Sequence, residues 1–508
     1  MSKEIRIRLG TSAVGQNLAA YLARSGYPIT ADCGGKGKCG KCRVKLDTGV
    51  LFANPECTRP ATPEQDGSYL ACRVYCGHSA YVLLSIPDDE DGLTEFANQN
   101  VTNNTDTAPA FGAALDIGTT TLACALVNER DGSVLATTSA LNPQSAFGAD
   151  VISRIEAIMR QPEALEQMQR VLLAKIREML SQLLPGGTVV HMTVAGNPTM
   201  LHILCGTSPV SMGAYPFTPV FTEARQLSGE SLGLPAKQIT LLPSISAFVG
   251  GDITAGMLQS ELCSSEQPAL LIDIGTNGES VLFTGTAHGS RLYAASAAAG
   301  PAMEGAGIST GMGGISGAVC AVRMHAGMPI CSTVGDVPAK GICGSGLIDL
   351  VATLYQNGII DETGAFERGD AFVYATAQNG TPLSLTQADI RALQLSKSAI
   401  RASIDALCAH AGLTPDNLAH VYLAGGLGYY MNVDSAVAIG LLPAAFQSRA
   451  QSIGNAALGG CVRLLAAPAL LDALQAQAAQ CRTLELNTDA VWNQSFMENM
   501  MFPCEDEI

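Results

Sequence analysis

No stretch of eighteen apolar residues in this chain is free of charge, so no membrane-spanning helix is expected. The opening Met-Ser-Lys-Glu-Ile-Arg-Ile-Arg-Leu alternates like a strand rather than reading as a secretion signal, so a cytoplasmic chain is expected. Basic residues are scarce, with 29 Lys and Arg against 45 Asp and Glu and a net charge of −16. So acidic a body is not expected to bind nucleic acid. There is no Walker A sequence and no Gly-x-Gly-x-x-Gly behind a strand, which removes two familiar nucleotide fingerprints. What is plentiful is glycine (53 of 508 residues) and apolar side chains (47%), enough for large α/β cores in about three domains. Sixteen cysteines without a secretion signal suit a reducing compartment in which most are buried thiols.

Four of those cysteines form a pattern. Cys33, Cys39 and Cys42 share one glycine-rich loop, Cys33-Gly-Gly-Lys-Gly-Lys-Cys39-Gly-Lys-Cys42, and Cys72 follows in Tyr-Leu-Ala-Cys-Arg. The spacing C-x5-C-x2-C-x29-C is close to the plant-type ligand set of a [2Fe–2S] cluster, ahead of a [4Fe–4S] cluster. Glycines let such a loop take positive φ and bring backbone N–H groups near the sulfides. A structural zinc site would show two C-x2-C knuckles, and only one is present. Cys57 and Cys76 are read as bystanders. Residues 1–87 hold eleven Lys or Arg against six Asp or Glu, a balance of +5 that leaves −21 on the rest. Three of the lysines, Lys36, Lys38 and Lys41, lie inside the cluster loop. They read either as an ordinary solvated loop or as a docking face for an acidic electron-transfer partner. The loop resembles that of adrenodoxin- and plant-like ferredoxin domains, which implies a β-grasp fold for this part.

The first unit, residues 1–87, ends in the strand Tyr81–Ile86. Residues 88–109 carry six acids and no base, a linker composition. As a flexible coil they would span roughly 23–28 Å, and about 75 Å at full stretch. From residue 110 to 508 strands and helices alternate, in two halves of roughly 110–265 and 266–508. Strands are expected at 113–117, 190–195, 269–274 and 420–424. One helix is expected over 150–184, burying Ile152, Ile155, Met159, Met168, Leu172, Ile176, Met179 and Leu183 and stopped by Pro185-Gly186-Gly187. A second runs from the Thr386 cap to Ala409.

The halves share a duplicated turn. Ala114-Leu-Asp-Ile-Gly-Thr-Thr-Thr121 recurs as Leu271-Ile-Asp-Ile-Gly-Thr-Asn-Gly278. Each copy is an apolar strand, an Asp, a Gly-Thr turn and a second apolar strand. Such a hairpin aims backbone N–H groups and Thr hydroxyls at a phosphate, while its Asp holds Mg²⁺ or orients a water. Candidate groups are Asp116 and Asp273 for the chemistry, and Gly118, Thr119, Thr120, Gly275, Thr276 and Asn277 for phosphate binding. Asp252, in Phe248-Val-Gly-Gly-Asp252, reads either as another carboxylate near this cleft or as a helix cap. The repeat resembles the superfamily of acetate and sugar kinases, heat-shock chaperones and actin. That resemblance implies two ribonuclease-H-like halves clamping ATP, with Gly425 and Gly426 at the end of His420-Val-Tyr-Leu-Ala lining the adenosine pocket.

Ferredoxin loop and duplicated ATPase together resemble the reductive activators of corrinoid proteins. Further residues carry the likeness: Phe147-Gly-Ala-Asp150-Val-Ile-Ser-Arg-Ile, Ala299-Gly-Pro-Ala-Met-Glu304-Gly, Gly341-Ile-Cys-Gly-Ser-Gly-Leu-Ile-Asp349, Gln394-Leu-Ser-Lys397 and Ile453-Gly-Asn455-Ala-Ala-Leu-Gly. The resemblance implies ATP-dependent, one-electron return of Co(II) to Co(I) on the corrinoid protein of a methyltransferase system. It also implies a reduced donor such as a ferredoxin or flavoprotein, and a homodimer. No Asp-x-His-x-x-Gly stands among the seven histidines, so the chain is not itself a corrinoid carrier. Glu304 and Lys397 each read as a site residue or as ordinary packing. Some relatives carry a middle domain between linker and ATPase, whereas here the ATPase pattern starts about two residues after the linker. Two alternatives stand beside this reading: an ATP-gated electron donor to a non-corrinoid enzyme, and a small-molecule kinase with a redox-sensing cluster.

Overall fold

The computed structural model describes residues 3–8, 14–19, 22, 43–64, 67–77, 81–86, 110–148, 150–325 and 327–504. They fall into two units, Met1–Thr102 and Asn103–Ile508. Cys33, Cys39, Cys42, the three loop lysines and the acidic stretch 88–109 lie outside the described residues.

The first unit contains a four-stranded sheet of Lys3–Arg8 (β1), Arg43–Thr48 (β2), Ser68–Leu70 (β3) and Tyr81–Ile86 (β4). Its order is β1-β4-β2-β3 and every pairing is antiparallel. Leu18, Leu22, Val44, Leu51, Leu70, Ala71, Val74 and Cys76 form its core.

The second unit repeats one architecture twice. In the first half, Phe111–Ile117 (β5), Thr121–Asn128 (β6) and Val134–Leu141 (β7) form an antiparallel meander. Val189–Gly196 (β8) lies parallel to β5 on its other side, followed outward by Ala236–Leu241 (β10) and Arg225–Ser228 (β9). The order is β9-β10-β8-β5-β6-β7. The second half repeats it with Ala269–Ile274 (β11), Gly278–Phe283 (β12) and Leu292–Ala297 (β13), then His420–Ala424 (β14) and Ala450–Gly454 (β15) parallel to β11. A short strand, Arg482–Thr483, closes the far edge, parallel to β13. Both sheets thus have three antiparallel strands and two parallel additions on the first strand, the ribonuclease-H-like arrangement expected. In both, the central strand is buried along nearly its whole length, as its unbroken apolar sequence requires.

The helix expected over 150–184 is two helices, Val151–Arg160 (α1) and Glu163–Leu183 (α2). Pro162 causes the break, because it has no N–H to donate and disfavours helical geometry in the residue before it; Gln161 sits at φ −139° and ψ 96°. The expected buried face holds in α2 at Met168, Leu172, Ile176 and Met179, with Leu183 half-buried. In α1 only Ile155 of that set is buried. Ile152 and Met159 are exposed, and the inward face is Arg154, Ile155 and Ile158. Asp150 and Ser153 close α1 with a capping box, and Thr386 with Asp389 does the same for the helix Gln387–Ala411, which ends on Gly412 at φ +73°.

In the chain a helix follows β10 of the first half, Gly251–Gln259 (α3), and another follows β15 of the second, Ala456–Ala466 (α4). The two helices lie against one another, and α4 crosses onto the sheet of the first half. There Thr193 Oγ1 donates to the Cys461 carbonyl at 2.8 Å. In return α3 sends Ile253 and Met257 into a core with Leu271, Val281 and Phe283 of the second half. The crossing is closest where α4 presents Gly459 and Gly460. A Cβ on Gly460 would lie 2.0 Å from the Ala255 carbonyl oxygen, and one on Gly459 would lie 2.7 Å from the Gln259 side chain. Among the described residues no helix is long and apolar enough to cross a membrane.

Adding one methyl at this crossing should be felt as overpacking. Gly460→Ala is expected to cost about 1–3 kcal/mol, read as a lower urea midpoint for the second unit. An unchanged midpoint would show that the two helices separate freely.

Candidate functional site

The two copies of Asp-Ile-Gly-Thr occupy equivalent places, at the end of the central strand of each sheet. Asp116 ends β5 beside Ala195 of β8, and Asp273 ends β11 beside Ala424 of β14. The two halves meet here: Asn455 of the second donates to Asp116 Oδ2 of the first at 2.9 Å, and Asp116 acts electrostatically on Asp273. Burial pushes the Asp116 carboxyl up to about 7, eased by a hydrogen bond from Asn455 and worsened by Asp252. Burial likewise raises Asp273 to about 7, with Asp252, Asp116 and Glu304 all adding to the shift. Asp252 rises to about 6, chiefly from burial, although backbone N–H groups at the start of α3 lower it. Glu279 is held well above the ordinary carboxylate range by burial and by Asp252 and Asp273. The charged groups acting on these four carboxylates are other carboxylates.

Of the two readings of Asp252, the cleft carboxylate is the one the geometry supports. Gly250, not Asp252, caps α3, while Asp252 stands in the first turn with Oδ1 accepting from the Ile253 N–H at 2.9 Å. That position suits an anion, because the free N–H groups of the first turn carry partial positive charge.

The first Asp-Ile-Gly-Thr loop is held from behind by its own half. Asn142 Nδ2 donates to the Gly118 carbonyl at 2.8 Å, and the Asn142 N–H to the Thr120 carbonyl at 2.8 Å. Arg154 Nη2 donates to the Thr119 carbonyl at 2.6 Å, and Asn197 Nδ2 to Thr119 Oγ1 at 2.9 Å. Arg154 is fully buried, and its remaining contacts are the Gly148 carbonyl, Gln144 Oε1 and Met200 Sδ, all uncharged. Gly118 is needed for the tightness of the turn, since a Cβ there would lie 2.5 Å from the Thr121 carbonyl oxygen. The second loop is held more lightly. Thr276 Oγ1 donates to Glu304 Oε2 at 3.0 Å, the Gly275 N–H donates to the Asn277 carbonyl at 3.0 Å, and Asn277 supports Glu279.

Gly425 follows β14 at φ +83°, and a Cβ on it would lie 2.5 Å from Asp273 Oδ1. Only glycine brings the chain this close to that carboxylate. A Cβ on Gly426 would meet nothing within 4 Å, so its face is open. The structure therefore brings together both Asp-Ile-Gly-Thr loops and the Gly425-Gly426 turn. Glu304 belongs with them through Thr276. Lys397 does not: it is fully buried, and its Nζ donates to the Met501 carbonyl at 2.5 Å beside the Phe502 ring. With Gln394 Nε2 on the Met500 carbonyl and Ser398 Oγ on the Asn499 carbonyl, it fastens the C-terminal segment to the helix Gln387–Ala411.

Sequence reasoning missed Glu279, Asn455, Arg154, Asn142 and Asn197 as site residues. Asn197 was within reach, because Gly196-Asn197 follows β8 as Gly425-Gly426 follows β14 in the other half.

In the first unit, Cys72 sits in the short turn Ala71–Arg73 at the edge of the small core, with its carbonyl accepting from Asn17 Nδ2 at 2.9 Å. Cys76 is buried in that core, while Cys57 is half-exposed with Sγ 3.4 Å from the Cys76 carbonyl.

Carboxylates that face one another with only acidic charged neighbours fit a divalent cation and the phosphates it accompanies. Among the described residues no three metal-ligating side chains converge closely enough to hold a cation alone. A Mg²⁺ here would use one or two carboxylates and complete its shell with water and phosphate oxygens. The raised carboxyls also set a sign for stability. Between pH 4 and 7 the folded chain holds protons at Asp116, Asp252 and Asp273 that the unfolded chain has released, so their contribution falls as pH rises through this window. Asp252→Asn is expected to raise the unfolding free energy by about 1–2 kcal/mol at pH 7.5 and by much less at pH 4.5. Urea titrations at the two pH values check this, and an equal effect at both would contradict the buried-charge account.

Three family models match the chain: a 2Fe-2S iron-sulfur cluster binding domain at residues 10–77, the RACo middle region at 111–265, and the C-terminal ASKHA domain of RACo at 267–508. The middle region thus coincides with the first half of the duplicated unit. A corrinoid activation enzyme, RamQ of Eubacterium limosum, is 33% identical over 79% of this chain and 72% of its own length. The [Co(II) methylated amine-specific corrinoid protein] reductase of Methanosarcina barkeri is 25% identical over 68% of each chain. The solved structure of a reductive activator for corrinoid, iron-sulfur protein superposes with a TM-score of 0.71 at 28% identity, covering 98% of this chain and 96% of that one. With ferredoxin, middle and ASKHA regions in this order and likeness along nearly the whole length, the chain belongs to the family of reductive activators of corrinoid proteins.

Proposed function

We propose that this chain is an ATP-dependent reductase that returns the inactive Co(II) of a partner corrinoid protein to Co(I), adding one electron per event. The observation that carries this is the joining of a 2Fe-2S domain to a duplicated ATPase in a chain 33% identical to a corrinoid activation enzyme. Bound at Cys33, Cys39, Cys42 and Cys72, the cluster supplies one-electron chemistry. Plant-type clusters sit near about −400 mV, and Co(II) to Co(I) lies lower. Each ~59 mV of that gap costs about 1.4 kcal/mol, which nucleotide binding and hydrolysis in the second unit offset.

The chain's residues divide the work as follows. Asp116 and Asp273, with Asp252 and Glu279 behind them, hold the cation and order the attacking water. Gly118, Thr119, Thr120, Gly275, Thr276 and Asn277 present backbone and side-chain donors to the phosphates. Gly425 and Gly426 leave room for adenosine beside Asp273. The division into 1–87, 88–109 and 110–508 assigns electron delivery to the first segment and ATP chemistry to the third. We assign the chain to the cytoplasm, with a reduced ferredoxin or flavoprotein as donor and a homodimer as the working form. Sixteen cysteines support the reducing compartment.

Reduced chain mixed with a Co(II) corrinoid protein should give the Co(I) absorption band with MgATP and little without it. Asp273→Asn is expected to slow that appearance by roughly 10²-fold or more while leaving the cluster spectrum unchanged. Co(I) formation that is equally fast without ATP would overturn the ATP-driven reading.

A further inference from the structure

Asn455 stands where strand β15 passes into helix α4, and both ends of its side-chain amide are engaged. Oδ1 accepts from the Leu458 N–H at 2.7 Å, capping the helix. With the oxygen so used, Nδ2 has one direction left, and it donates to Asp116 Oδ2 at 2.9 Å, joining residues 339 positions apart. It is the side-chain partner that eases the burial of this carboxyl.

The rest of α4 strengthens the tie. One turn further on, the Cys461 carbonyl accepts from Thr193 and the Cys461 thiol lies 3.7 Å from the Leu115 carbonyl, next to Asp116 in the chain. Gly459 and Gly460 seat α4 against α3, the helix that carries Asp252. The two halves differ here. Helix α3 begins with Gly250, which has no side chain to offer, and turns the acid Asp252 toward Asp273. The cap of α4 turns an amide donor toward Asp116. Asp252 thus raises both duplicated aspartates, while the amide donor of Asn455 reaches Asp116.

We propose that Asn455 is a positioning residue for ATP hydrolysis, holding the Asp116 carboxylate in register with the facing loop from the half to which Asp116 does not belong. This rests on the ATPase reading above. Because the same amide caps α4, any displacement of Asp116 is met directly by the helix pair that joins the halves.

Capping and positioning separate by substitution. Asn455→Asp keeps a good cap but replaces the donor with a second carboxylate, and Asn455→Ser keeps a cap too short to reach Asp116. For both in the full chain, kcat for MgATP hydrolysis should fall by roughly 10–100-fold, with KM changed less than about threefold and thermal midpoints close to wild type. In an Asp116→Ala background the Ser substitution should have little further effect on kcat, as expected of groups acting as a unit. Wild-type kcat in both Asn455 variants would reduce Asn455 to a helix cap and overturn the proposal alone. A wild-type chain that neither hydrolyses MgATP nor is stabilised by it would overturn the ATPase reading and this proposal with it.

Discussion

Four carboxylates held together against their own repulsion are the constraint on which the second unit is built. Asp116, Asp252, Asp273 and Glu279 come from both halves; burial lifts each above its ordinary range, and neighbouring carboxylates add to this at Asp116, Asp273 and Glu279. Such a cluster opposes folding, since a buried charge without a counter-charge costs several kcal/mol. It persists because the framework beneath it leaves no alternative. Asp116 and Asp273 are the ends of central strands, Asp252 is fixed in the first turn of α3, and Glu279 lies across the ladder from Asp273. A cation bound there would remove the repulsion, so the cost of assembling these carboxylates would become affinity for a metal–nucleotide complex.

The two loops share a sequence but not a stiffness. Asn142, Arg154 and Asn197 clamp the first from three sides, and Arg154 does so as a fully buried guanidinium whose partners are neutral. Burying that charge is expensive unless each donor is used, and here three of its nitrogens are. The second loop depends on Thr276 and the exposed Glu304. Freedom in this site therefore lies on the side of the second half, while the first half acts as the fixed wall.

Much of this was legible in the chain itself. Strands 269–274 and 420–424 were read to the residue, because apolar runs bounded by Gly-rich turns leave little choice of register. The duplicated Asp-Ile-Gly-Thr stood out because it recurs in phase with two α/β halves. The break at Pro162 was hidden, since proline is well tolerated at a helix start and the apolar period runs on beyond it. Ile152 and Met159 were assigned to the buried face because an arginine in an amphipathic helix reads as solvated. Arg154 instead turns inward to reach Thr119, and the buried stripe rotates with it. Glu279 and Asn455 escaped for a related reason. Their roles come from partners across the ladder or across the halves, and no spacing along the chain records a contact 339 residues apart.

The crossed helices decide what hydrolysis can do. If α3 and α4 each packed only on the sheet of their own half, the two loops could part at the nucleotide with no consequence elsewhere. Here α4 belongs by sequence to the second half and by contact to the first, and α3 shares a core with β11 and β12. With Gly459 and Gly460 at the crossing the two backbones lie close, and close-packed interiors transmit strain. A change in the distance between Asp116 and Asp273 must therefore move one helix along the other. A 2Fe-2S carrier by itself passes electrons downhill. Fused to an ATPase unit whose two halves are joined by crossed helices, it would gain a cyclic step that can be set against an uphill electron transfer.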